Sequence, residues 1–116
     1  MGVPQDRGRA GETLALAYLE LVGCRPLARN ARVGGVEVDL VVEDGATRVL
    51  VEVRTRTRAD YGGAAASVDA RKRQRLARAA RMLALEGNGQ VRVDVLAIDL
   101  DADGVRLRHV RNAVTD

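Results

Sequence analysis

Two short runs rich in β-branched residues, Val36 to Val42 and Val49 to Thr55, carry charged side chains at alternate positions: Glu37 and Asp39 in the first, Glu52 and Arg54 in the second. Between them, Glu43-Asp44-Gly45-Ala46-Thr47 contains an Asp-Gly pair, a strong hairpin-turn signal. Side chains alternate across a strand, so the hairpin sorts into two faces. One is Val36, Val38, Leu40, Val42, Val49, Val51 and Val53, pure core; the other is Glu37, Asp39, Val41, Leu50, Glu52 and Arg54. If the loop spans Asp44 to Thr47, Glu43 pairs with Arg48, Asp39 lies opposite Glu52, and Glu37 lies opposite Arg54. A two-residue Asp44-Gly45 turn instead sets Glu37 opposite Glu52. Directly opposed carboxylates, with Cβ atoms roughly 5 Å apart, repel and need a positive charge between or beside them. A hard divalent ion such as Mg²⁺ answers that need: it takes oxygen ligands, keeps several waters and can activate one of them for phosphodiester hydrolysis. The competing reading is a solvated face on which Arg54 and Arg56 neutralise the acids as surface ion pairs.

The charge pattern supplies a partner for such chemistry. Of 19 basic residues, 18 are arginine and one is Lys72, against 16 acids, for a net charge of +3. Between Arg54 and Arg81 there are nine basic side chains and two acidic ones, Asp60 and Asp69. A phosphate backbone is the natural counterpart of that stretch, with Arg71, Lys72, Arg75 and Arg78 on one helix, and binding should then weaken steeply with salt. A solvated arginine-rich helix is the alternative. One histidine, His109, and one cysteine, Cys24, exclude a zinc site built from Cys and His and an internal disulfide. With no Phe or Trp and only Tyr18 and Tyr61, single-strand binding by aromatic stacking is also excluded.

The elements that position these residues follow from periodicity. At 116 residues the chain is expected to form one domain, 1–116. It shows no signal-peptide pattern and no run near the ~18 apolar residues of a membrane span, which points to the cytoplasm. Ala10, Leu14, Ala17 and Leu21 mark the apolar face of a helix from Gln5 to Leu21, capped at Gly23. Cys24 to Arg32, with Pro26, reads as a short or edge strand. After the hairpin, a helix from Val68 to Glu86 ends at Gly87-Asn88-Gly89. Val91 to Leu100 changes alternation phase and so reads as a central strand covered on both faces, and Val105 to Val110 follows the turn Asp101-Ala102-Asp103-Gly104. The order is α, three β, α, two β. Asp94 is read as structural and His109 as an ordinary half-buried side chain; Asp99, Asp101 and Asp103 lack the downstream Glu of a calcium loop.

Several motifs stand in order along the chain: Gly8-Arg9-Ala10-Gly11-Glu12, then Ala17-Tyr18-Leu19, Arg29-Asn30-Ala31-Arg32, Glu37-Val38-Asp39-Leu40 and Val51-Glu52-Val53-Arg54-Thr55-Arg56. Tyr61-Gly62, Val68-Asp69, Lys72 and Arg92-Val93-Asp94-Val95 complete them. Over nearly the whole chain this resembles the YraN family of bacterial proteins, relatives of the Holliday-junction resolvases. The resemblance implies an α/β, restriction-endonuclease-like fold of the PD-(D/E)xK superfamily, with a mixed central sheet flanked by helices. It further implies a Mg- or Mn-dependent endonuclease acting on DNA, including branched DNA, and a homodimer, since resolvases pair. Asp39 and Glu52 would then ligate the metal with the Val53 carbonyl, and Glu12 and Glu37 would support the site. Here Val36 stands where the family's Gly-Glu-x-Asp-Leu motif has glycine.

One departure bears on turnover. Arg54 stands where the superfamily motif has lysine. A guanidinium that stays charged can clamp the scissile phosphate but cannot act as a base. Lys72 could be lent from the second helix if that helix packs over the site. A nucleic-acid-binding module that lost turnover is therefore the alternative to an enzyme. A protein-interaction scaffold, with the arginine-rich helix on an acidic partner, is the third reading.

Overall fold

The computed structural model describes residues 4–57, 70–87 and 89–113. The elements run α1 (Pro4–Leu21), β1 (Arg25–Val33), β2 (Val36–Asp44), β3 (Thr47–Thr57), α2 (Ala70–Glu86), β4 (Gln90–Asp101) and β5 (Gly104–Val110). This is the expected order, and the five strands form one mixed sheet in the order β1-β2-β3-β4-β5. Only β3 and β4 are parallel, joined by the crossover that contains α2. Arg58, Asp60, Tyr61, Gly62, Val68, Asp69 and Asn88 of the sequence reading lie outside the described residues.

The sheet is covered on both faces. Val49, Val51 and Val53 of β3 join Leu40, Val42, Leu96, Ile98 and Cys24 under Ala15 and Leu19 of α1. On the opposite face, Leu50, Val41 and Val93 pack under Leu76 and Ala79 of α2. Double cover explains the unbroken buried run 93–98 in β4, which is interior, although β3 holds the middle of the sheet.

Three expectations are corrected or decided by packing. First, α1 docks by a different stripe. Gly11, Ala15 and Leu19 are buried, whereas Ala10, Leu14, Ala17 and Leu21 are exposed. Both stripes satisfy helical spacing, and packing decides between them. A Cβ on Gly11 would run into the Thr55 hydroxyl, so the helix approaches β3 where its residues are smallest. Second, of the alternatives short or edge, β1 is an edge strand, and it runs nine residues with a bulge between Pro26 and Ala28. The β1–β2 turn is the pair Gly34 and Gly35, both at positive φ, a two-residue geometry that glycine adopts without strain. Third, Val36 and Val38 pack with the α2 cluster rather than with Leu40 and Val42. Strict alternation along β2 therefore slips at Asp39.

Candidate active site

The site lies where the central hairpin opens. The register Glu43↔Arg48 and Asp44↔Thr47 selects the first of the two turn options, with Gly45 and Ala46 at the tip. Pairing then runs as far as Leu40↔Val51 and stops. One residue later Asp39 would face Glu52, but its carboxylate leaves the ladder position, and its Oδ2 accepts the Val53 N–H at 2.8 Å. On the other flank, Arg29 and Ala31 pair with Leu40 and Val38, and Asn30 between them has φ 49°. A side chain thus takes the place of a main-chain acceptor, and the alternation of β2 shifts at the same residue.

Around this opening the structure gathers three acids and three cations. Glu52 is 2% exposed. Its Oε2 receives Arg54 Nη2 at 2.7 Å and faces Lys72 Nζ at 3.6 Å, while its Oε1 is buried with no hydrogen-bond partner among the described residues. Burial, then the charge of Asp39, pushes the Glu52 carboxyl up to about 7 against the pull of Arg54 and Lys72. Glu12 of α1 is also raised, by burial and by Asp39, while Arg29 and an Asn30 hydrogen bond draw it down. Asp39 is therefore felt from both sides of the sheet.

Each placement has a local cause. Lys72 begins the inward stripe of α2, one turn before Leu76 and two before Ala79, so the packing that buries those residues turns Lys72 toward Glu52. Glu12 follows Gly11, whose close approach to Thr55 brings the helix down on β3. Arg54 and the half-buried Arg56 follow Glu52 at alternate positions of β3. Arg71, Arg75 and Arg78 form an exposed stripe along α2 beside Lys72.

Glu37 stands apart: it is exposed and pairs across from Arg32. Arg29 and Asn30 are neighbours of Glu12 that sequence reasoning left out of the site; the motif Arg29-Asn30-Ala31-Arg32 was the available signal. Arg29 also ties β1 to α1 through Thr13 Oγ1 at 3.4 Å.

Among the described residues, no three His, Cys, Asp or Glu side chains close into a ready-made ion cage. A Mg²⁺-type ion does not require one, because it is commonly held by one or two carboxylates with waters completing the shell. Asp39 and the unpartnered Glu52 Oε1 fit that sparse donor set. A cavity of about 80 Å³ lined by Glu43, Arg48, Leu83, Gly89 and Val91 lies at the turn end of the hairpin and includes none of the candidate residues.

A second polar cluster serves packing. Asp94, fully buried, accepts Arg92 Nε at 2.9 Å, the Asn112 N–H at 2.9 Å and His109 Nε2 at 2.7 Å. With Nε2 of His109 donating to Asp94, the Tyr18 hydroxyl donates to Nδ1 at 2.9 Å. Burial alone would raise Asp94, but hydrogen bonds from Arg92, the Asn112 N–H and His109 hold it below the usual carboxylate value. Asp101 caps its own turn through the N–H groups of Asp103 and Gly104.

Comparison with known proteins places the chain. The sequence pattern of the family described as "Uncharacterised protein family UPF0102" matches residues 11–98. The chain belongs to UPF0102, the YraN family. A UPF0102 protein of Halorhodospira halophila is 48% identical over 110 residues, covering 95% of this chain and 88% of that one. One from Stutzerimonas stutzeri is 42% identical, covering 97% and 98%. A Bordetella parapertussis UPF0102 protein is 55% identical over 83 residues, 71% of this chain and 47% of its own length. Among solved structures, Pyrococcus furiosus SfsA in complex with Ca2+ is similar at a TM-score of 0.48 and 18% identity, over 97% of this chain and 65% of that one. The UPF0102 match spans Glu12, Asp39, Glu52, Arg54 and Lys72. No helix among the described residues is long and apolar enough to cross a membrane.

Proposed function

We propose that this protein is a divalent-cation-dependent endonuclease that hydrolyses phosphodiester bonds in DNA, including branched DNA, in the cytoplasm. The observation that carries this reading is Glu52: a buried carboxylate beside Asp39, with one oxygen facing two cations and the other without a partner. A buried carboxylate oxygen without a partner is costly, and an ion taken up at that oxygen would offset the cost. Asp39, Glu52 and the Val53 carbonyl would hold Mg²⁺ or Mn²⁺, with Glu12 in support. The ion, when bound, supplies Lewis-acid activation of water and neutralisation of the phosphate.

The chain's own residues divide the remaining work. Arg54 clamps the non-bridging phosphate oxygens, and Lys72 faces the same carboxylate as a compact ammonium that can steady the attacking water or the charge developing on phosphorus. Arg56, Arg71, Arg75 and Arg78 contact the backbone on either side, and a homodimer would present two such sites to a junction.

Cleavage of end-labelled four-way junction, flap and duplex DNA in Mn²⁺ tests the reading. A metal-dependent product from the wild type, reduced at least about 100-fold in Asp39→Ala and Glu52→Gln, is expected. Absence of any product while binding survives Asp39→Ala would favour the second reading, a binding module without turnover. That alternative is motivated by Arg54 in the place of the motif lysine.

A further inference from the structure

We propose that the carboxylate site loads its divalent cation together with a phosphodiester, because Arg54 occupies Glu52 until a phosphate draws it away. This rests on the nuclease reading above. Arg54 and Lys72 both address Oε2 of Glu52, at 2.7 and 3.6 Å. Their side chains are 31% and 24% exposed, against 2% for Glu52, so both cations reach solvent while the carboxylate they address does not. A dication approaching Glu52 meets two like charges already seated on one of its oxygens.

The Arg54 contact is built to open. A guanidinium and a carboxylate can meet fork to fork through two parallel hydrogen bonds. Here one nitrogen meets one oxygen, and each partner keeps a buried atom without a hydrogen bond among the described residues: Nε of Arg54 and Oε1 of Glu52. Both gain by rearranging. A phosphodiester offers Arg54 two oxygens in the spacing that its fork matches. The exposed arginines of α2 supply the field that brings phosphate to this edge. Once Arg54 turns to phosphate, Glu52 loses one of its two cations and its charge becomes available to a metal ion, while Lys72 remains. Linkage then requires that cation and phosphodiester each tighten the other by the same factor.

Mn²⁺ affinity, read from the free-ion EPR signal, tests this with and without a short phosphorothioate duplex, against a duplex-only blank. In the wild type the duplex should tighten Mn²⁺ about tenfold or more. Arg54→Gln should bind Mn²⁺ alone about tenfold tighter than the wild type does, and the duplex should add little. Arg54→Lys retains a cation on Glu52 and should retain the coupling. Equal wild-type affinity with and without duplex would overturn the coupling while leaving the carboxylate site standing. Absence of Mn²⁺ binding by either protein under both conditions would overturn the coupling and the nuclease reading together. The wild-type comparison requires no variant, so a misfolded substitution does not blunt the test.

Discussion

Glu52 sits in surroundings that oppose its own charge. Burial and Asp39 raise its carboxyl from 4.5 to about 7, so between those values the folded chain holds a proton that the unfolded chain releases. Stability therefore falls as pH rises through that window and levels off above it. Asp94 works in the opposite sense: its folded value is depressed, and its contribution is lost only as pH falls below its ordinary 3.8. The two windows do not overlap. Urea unfolding of the wild type and Glu52→Gln should show the stability difference shifting in favour of the variant by roughly 1–3 kcal/mol between pH 4.5 and pH 8. Parallel curves would contradict the environment assigned to Glu52. The conjunction of Asp39 and Glu52 was legible only as one of two registers: a loop over 44–47 sets Asp39 opposite Glu52, an Asp44-Gly45 turn sets Glu37 there, and the pairing Glu43↔Arg48 decides between them. The turn of Asp39 out of the ladder was not, because it depends on a main-chain donor, Val53 N–H, that hydropathy patterns do not report.

The elements hold the site by close contact, and α1 shows where the sequence was ambiguous. Its two candidate stripes have the same spacing, and only the approach of Gly11 to Thr55 decides which one is buried. Gly11→Val should lower unfolding stability by about 1–3 kcal/mol, because a branched side chain must displace Thr55 or lift the helix. Gly11→Ala should cost much less: the Thr55 hydroxyl can rotate away, and helix propensity returns about 1 kcal/mol. Chemical denaturation of the two variants checks this, and equal losses would mean that the contact is not what seats α1. The element order along the chain and the β2–β3 hairpin were legible, since β-branched runs and Gly-containing turns are local signals. The Tyr18–His109–Asp94 chain was not, because it joins α1, β5 and β4 across 91 residues of sequence. Lys72 was legible only as a lone lysine among arginines, and its proximity to Glu52 depends on how α2 packs.

At the scale of the whole molecule, charge is segregated more than it is abundant. A net of +3 hides an arginine-dense segment from Arg54 to Arg81, while the acids of the site are drawn into the opening between β2 and β3. The fold thus sets a carboxylate cluster at the foot of a basic surface, an arrangement suited to bringing a polyanion to a metal ion. Whether Asp39 and Glu52 hold that ion can be read from the anomalous density of Mn²⁺ in crystals grown with the metal and a phosphorothioate duplex. The expected result is one strong peak within about 2.3 Å of a carboxylate oxygen of Asp39 and of Glu52, with Arg54 turned onto phosphate. A well-ordered duplex with no peak between those two carboxylates, and Arg54 still on Glu52, would contradict it.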